Sequence, residues 1–158
     1  MTIRAGTEAD LPRALELIQE LAEYERAEGE VTNTVEQMRV DGFGPQPLYG
    51  FFVAEAEGRV VGLALYYYRY STWKGKRLYL EDIIVTEAHR GKGLGKALFD
   101  KAMEKTVQTG CTGMMWQVLD WNEPSIRFYE RYGTRFDKEW INCHLEAAQI
   151  KALLSRTS

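Results

Sequence analysis

The sequence predicts an α/β fold, a mixed and mostly antiparallel sheet flanked by helices, in a single domain over residues 1–158. Two stretches carry that prediction. Alternating apolar runs at Tyr49–Glu57 and Val60–Tyr70 flank a Glu57-Gly58 turn, which is the signature of a β-hairpin, and a third run follows at Arg77–Val85. A glycine-rich turn then leads into a helical pattern at Gly93–Thr109 and a strand pattern at Met114–Leu119, the order of a right-handed parallel crossover. The composition agrees: 158 residues, 45% hydrophobic and 27% charged, suit one globular domain with its own core.

Each element has a local reason. Thr2–Ala5 reads as a short first or edge strand. Thr7-Glu8-Ala9-Asp10 has the form of a capping box, with Thr7 capping and Asp10 reaching back. It opens a helix whose Leu11, Leu15, Ile18, Leu21 and Ala22 recur at three- and four-residue spacing and which ends near Arg26–Gly29. A shorter helix is expected over Thr34–Val40. Asp41–Pro47, DGFGPQP, holds two glycines and two prolines and is expected to be loop. Ser71–Lys76 connects the second and third strands of the hairpin run. Within Gly93–Thr109, Leu94, Ala97, Leu98, Ala102 and Val107 are apolar, and Gly110 is placed to stop the helix. Asn122–Tyr132 is a further helix, stopped by Gly133. Trp140–Leu145 alternates, with Ile141, Cys143 and Leu145 on one face, and is expected as the last strand before a short terminal helix.

Charge and composition exclude several classes of function. A net charge of −3 gives no global attraction to nucleic acid. The longest apolar runs, such as Val60–Tyr68, are too short to span a bilayer. The start, MTIRAGTEAD, lacks the apolar core of a signal peptide. The expected location is the cytoplasm, with neither nucleic acid nor membrane as partner. Cys111 and Cys143 have no metal-ligand spacing and sit among apolar residues, which reads as buried, inert thiols, and no metal is expected.

The chemistry concentrates at RGKGLGKAL, Arg90 to Leu98. Glycines remove side chains from the turn, so backbone N–H groups are able to close on an anion. The following helix points its positive end at the same place. Arg90, Lys92 and Lys96 add positive charge. The stretch lacks the Gly-Lys-Ser/Thr ending of a nucleotide-triphosphate loop, and Gly91, Gly93 and Gly95 do not have dinucleotide-fingerprint spacing. At this level two readings stand: a cradle for a phosphate-bearing ligand, and a solvated strand-to-helix connection.

Longer strings narrow the choice. Arg90-Gly91-Lys92-Gly93-Leu94-Gly95 after Asp82-Ile83-Ile84-Val85 resembles the acetyl-coenzyme-A loop of the GNAT N-acetyltransferases, and DWNEPSIRFYERYG, Asp120–Gly133, resembles that family's second cofactor element. LAEYERAE, DGFG, YSTWKGKRLYLED and VLDWNEPSIRFY together resemble its diamine acetyltransferase subgroup, and YSTWKG the branch that acetylates the ε-amine of thialysine. The polyamine branch typically has an acidic residue where this chain has Ser71. The resemblance implies the GNAT acyl-CoA N-acyltransferase fold, acetyl-CoA as co-substrate, a small primary amine as acceptor, direct transfer in a ternary complex and a homodimer. The alternatives it leaves are a spermidine/spermine-type enzyme and a non-catalytic acyl-CoA-binding regulator.

It also implies residue roles. The pyrophosphate falls to Arg90, Gly91, Lys92, Gly93, Leu94, Gly95 and Lys96, and the pantetheine arm to Asn122, with Ser125 close by. Backbone N–H groups at Ile83, Ile84 and Val85 polarise the thioester carbonyl. Tyr129 holds the general-acid position for the thiolate. A lysine-like amine has a pKa of about 10.4, so a proton must leave before attack. Glu81 is the first candidate to take it; Asp82 follows it but points to the opposite face unless a bulge intervenes. Tyr24 and Glu25 correspond to positions near the amine, and read equally as the solvated end of the first helix. Trp73 either walls the amine channel with cation–π help or packs its own loop. Asn122 also reads as the N-cap of its helix, with Pro124 in the first turn.

Overall fold

The computed structural model describes residues 1–156 and divides into two compact units, Met1–Leu119 and the part that begins at Asp120. The first unit holds a five-stranded sheet in the order β1-β2-β3-β4-β5. Its strands are β1 (Thr2–Ala5), β2 (Gly50–Ala56), β3 (Arg59–Ser71), β4 (Gly75–Val85) and β5 (Met114–Trp116). Neighbours pair antiparallel except β4 and β5, which run parallel across the helical crossover, as the sequence predicts. The β2–β3 turn is tight because Glu57 and Gly58 both take left-handed backbone, φ 55° and 72°, which matches the twist of a two-residue hairpin.

Helices cover both faces. On one, α1 (Leu11–Tyr24) and α2 (Val35–Phe43) set Leu11, Ala14, Leu17 and Met38 against Phe51, Val53, Leu63, Leu65 and Ile84. On the other lies α3 (Leu94–Gln108), whose Leu94, Leu98, Phe99 and Ala102 are fully buried. The missing side chain of Gly62 makes that contact possible: a Cβ there would stand 3.0 Å from Leu98 Cδ1. The start of α1 is fixed by Asp10, whose Oδ2 accepts from Thr7 N at 2.8 Å and from Arg4 at 2.7 Å, while Arg4 also reaches Glu55. That pairing holds the Asp10 carboxyl down to about 2.

The expected loop Asp41–Pro47 begins as helix, because α2 runs through Gly42 to Phe43. Tertiary packing outweighs the glycine penalty here. Gly42 sits under the Tyr49 ring, where a Cβ would meet Cζ at 2.4 Å, and Tyr49 donates its hydroxyl to Met38 O at 2.5 Å. The connection expected over Ser71–Lys76 is also shorter: β3 extends to Ser71, Ser71 pairs with Gly75, and left-handed Gly75, φ 90°, closes the loop.

The second unit contains α4 (Glu123–Glu130) and α5 (Ala147–Arg156). Asn122 caps α4, its Oδ1 accepting from Ser125 N at 3.4 Å, and Gly133 follows in left-handed backbone at φ 73°. The expected last strand, Trp140–Leu145, does not form. An alternating pattern specifies a strand only where a ladder partner and a buried face exist. No ladder includes this segment among the described residues, and Trp140 and Ile141 are 74% and 85% exposed. Cys143 is likewise exposed and Cys111 half-buried, so the two thiols are not the buried pair the sequence suggests.

Candidate active site

The site of interest in the first unit is built around a β-bulge. Along β4, Tyr79 faces Tyr67, Leu80 faces Tyr66, and the next pair is Asp82 with Leu65; Glu81 has no partner of its own. The extra residue breaks the two-residue alternation. Tyr79 and Asp82 therefore share one face although they are three apart, since their partners Tyr67 and Leu65 are two apart on β3. It is the face that α1 covers, because Leu65 and Ile84 pack there with Leu17. The charge of exposed Glu81 bears on Tyr67, Tyr79 and Asp82 alike. The bulge on which the sequence reading of Glu81 and Asp82 is conditional is thus present, with Glu81 as its extra residue.

Electrostatics single out Asp82. Burial first, then the neighbouring charges of Glu81 and Glu25, push its carboxyl up to about 7. Glu25, the residue that ends α1, is half-buried and its own carboxyl is raised by burial. Tyr67 and Tyr79, rings 5.1 Å apart, line the same face, and burial raises both hydroxyls. Glu81 and Glu25 thus both bear on Asp82, a cluster of three carboxyl groups suited to attract a cation, with the Arg69 guanidinium 5.9 Å from the Tyr79 ring beside it. Tyr24, 40% exposed at the end of α1, lies under the Arg90 guanidinium at 5.4 Å.

The pairing of β4 with β5 ends at Leu80 with Trp116, among the described residues. From the bulge onward, through Ile83, Ile84 and Val85, the β5 side of β4 is therefore not part of that ladder. A short 3-10 turn, Glu87–His89, then leads to the glycine turn. Gly91 and Gly93 take left-handed backbone, φ 78° and 82°, which explains glycine at both. Gly95 is different. It lies in the first turn of α3 without left-handed backbone, and a Cβ there would meet nothing within 4 Å. Glycine costs a helix about 1 kcal/mol against alanine, and nothing in the chain requires it. The space suits a ligand that approaches the backbone. Leu94, Gly95 and Lys96 open α3, where N–H groups have no partner within the helix and the dipole is positive. His89 Nδ1, at the base of the turn, is buried with no hydrogen-bond partner among the described residues. These features fit the pyrophosphate and arm of a CoA ester.

Not every predicted residue stands at these places. Arg90 has its side chain engaged by the protein: Nε donates to Val85 O at 2.9 Å and Nη2 lies 3.7 Å from Glu20. Lys96 pairs with Asp100 at 2.5 Å, while the exposed Lys92 stands beside the turn. Ser71 and Trp73 lie at the β3–β4 hairpin tip, where Ser71 Oγ accepts from Trp73 N at 3.2 Å and Lys74 N at 3.1 Å. Ser71 lies six positions along β3 from Leu65, the partner of Asp82, about 20 Å along the strand. Within one chain the tip does not reach the carboxylates, and Trp73 is 86% exposed.

In the second unit Asn122 and Tyr129 are buried. The carbonyl oxygen of Tyr129 accepts from Thr134 Oγ1 at 2.7 Å, and its ring stands edge-on to Phe128 at 5.4 Å. Sequence reasoning missed Glu20, Thr86, Tyr67 and Tyr79. Glu20 and Thr86 are 66 residues apart, a pairing without a local signal. The bulge that turns Tyr67 and Tyr79 toward Asp82 also has no signature in a single sequence.

A family model described as the acetyltransferase (GNAT) family matches residues 13–134. The thialysine N-epsilon-acetyltransferase of Bos taurus is 43% identical, over 84% of this chain and 83% of its own length. The enzyme of the same name from Sus scrofa is 40% identical over 98% of this chain and 97% of its own. Among solved structures, an aminoglycoside acetyltransferase from an uncultured soil metagenomic sample aligns with a TM-score of 0.75 at 18% identity, over 92% of this chain and 95% of that one, a likeness of fold alone.

Proposed function

Since the chain belongs to the acetyltransferase (GNAT) family, we propose that it transfers the acetyl group of acetyl-CoA to the primary amine of a small molecule with a lysine-like side chain, thialysine being the nearest probe. The observation that carries this is the convergence of Glu25, Glu81 and Asp82 at the β4 bulge, one strand segment away from a glycine turn shaped for an anion. The relatives named for thialysine support the amine class.

Bound acetyl-CoA supplies an activated acetyl thioester. The protein must bring a neutral amine to it. Glu81 and Glu25 attract the ammonium, whose arrival relieves the mutual repulsion of the carboxylates. Asp82, held near neutrality, then takes the proton. We assign the base to Asp82 and attraction to Glu81, because Asp82 is the acid the environment tunes. The C–N bond forms as the C–S bond breaks, Tyr129 is our proposal for the proton donor to the departing thiolate, and the second proton lost from the acylated nitrogen restores the tyrosine hydroxyl. The backbone of Ile83–Val85 holds the carbonyl, Gly91–Lys96 the pyrophosphate, and Asn122 with Ser125 the pantetheine arm. No cysteine stands among these residues, so direct transfer is preferred to an acetyl-enzyme. A cytoplasmic homodimer completes the proposal.

The test is thiol release from acetyl-CoA over a panel of thialysine, lysine and spermidine, beside CoA binding by calorimetry. Thialysine or lysine should give the highest kcat/KM. Spermidine as much the best substrate would transfer the reading to the polyamine class. CoA binding without release on any amine would leave a regulator.

A further inference from the structure

The turn that joins β4 to the cofactor turn is capped from outside. Thr86 stands at the N-cap of the Glu87–His89 turn but makes no side-chain cap of its own. The capping oxygens come from Glu20 in α1. Glu20 Oε1 accepts from Glu87 N at 3.1 Å, and Thr86 Oγ1 donates to Glu20 at 2.9 Å to Oε2 and 3.1 Å to Oε1. The same Oε1 lies 3.7 Å from Arg90 Nη2, while Arg90 Nε donates to Val85 O at 2.9 Å. One carboxylate thereby fixes the end of β4, the 3-10 turn and the first residue of the glycine turn. One helical turn further along α1, Tyr24 lies under Arg90, and Glu25 follows.

The charge of Glu20 suits the Glu87 N–H and Arg90, and is of the wrong sign only toward a pyrophosphate nearby. A carboxylate near a turn that receives a pyrophosphate repels it. Its contacts with Thr86, Glu87 and Arg90, rather than any attraction for the ligand, explain the position. We propose that Glu20 is a positioning residue of the cofactor turn. It sets where β4 ends and the turn begins, and it ties that point to the end of α1 beside the amine seat. This rests on the reading of Arg90–Lys96 as the acetyl-CoA turn.

Geometry and charge make opposite predictions. Calorimetric titration of CoA into the wild-type protein, Glu20→Gln, Glu20→Ala and Thr86→Val separates them. Glutamine keeps the acceptor oxygen and loses the charge, so Glu20→Gln should bind CoA within about twofold of wild type or more tightly. Glu20→Ala loses the cap and Thr86→Val loses the hydroxyl that holds the capping carboxylate, so CoA affinity should fall about tenfold in each. At saturating acetyl-CoA, kcat with thialysine should stay within about twofold. Tighter CoA binding by Glu20→Ala would make the role electrostatic and overturn the proposal. A lowered melting temperature with unchanged CoA affinity would make it merely structural and overturn it equally. If Glu20→Ala fails to fold, Thr86→Val decides on the same readout. Failure of the wild-type protein to bind CoA would instead strike the acetyl-CoA reading.

Discussion

Asp82 concentrates the conflict between stability and chemistry in one residue. Unfolded, its carboxyl ionises near the ordinary 3.8; folded, it is pushed up to about 7 by burial and by Glu81 and Glu25. Between those values the folded protein binds the extra proton, so stability falls as pH rises from about 4 to 7 and stays lower above that. Below both values the cost is absent. Asp82→Asn should therefore raise the melting temperature at pH 8 and leave it unchanged at pH 4. The same substitution should lower turnover about 100-fold or more, the range for loss of a general base. Equal melting-temperature gains at both pH values, or wild-type turnover, would contradict this assignment. Asp10 behaves oppositely. Its carboxyl is held at about 2 by Arg4 first, so the stability it contributes is present above about 4 and is lost as pH falls toward 2.

At the scale of the element, the bulge decides which acids meet. A regular β4 would set Tyr79 and Asp82 on opposite faces; one unpaired residue, Glu81, brings both to the face of α1. Removing Glu81 altogether leaves the register intact on both sides, since Leu80 still pairs with Tyr66 and Asp82 with Leu65. The deletion should fold, with a circular dichroism spectrum like that of wild type, but lose turnover by more than Glu81→Gln, which removes the charge and keeps the bend. Equal losses in the two variants would mean that the charge of Glu81 matters and the bulge does not. This is also where legibility divides. The hairpin, crossover and glycine turn are local patterns of period, turn residue and spacing, and they were readable. Asp82 as the tuned acid depends on an irregularity in pairing and on Glu25 from a distant helix, which no local pattern encodes. The continuation of α2 through Gly42 depends on the Tyr49 ring in the same way.

For the whole molecule, the informative failure is Trp140–Leu145. Its alternation is real in the sequence, yet it joins no ladder among the described residues and its apolar residues face solvent. The helix that follows also exposes apolar side chains, with Ile150 and Leu153 at 42% and 45% exposed. An alternating segment and an amphipathic helix both expose apolar side chains, and contiguous surface of that kind is what an association site presents. A second copy of this chain, the homodimer proposed above, is the occupant to test. Light scattering on the purified protein should give twice the chain mass. Ile141→Glu and Leu153→Glu should each shift the mass toward one chain while the far-ultraviolet circular dichroism is retained, because neither side chain belongs to the core of the first unit. If the dimer is what brings a partner's hairpin tip to the amine seat, the monomeric variants should also lose preference between thialysine and spermidine while still binding CoA. A wild-type protein that scatters as one chain would remove the dimer, and with it any part for Ser71 and Trp73 in choosing the amine, since about 20 Å separates them from Asp82 within one chain.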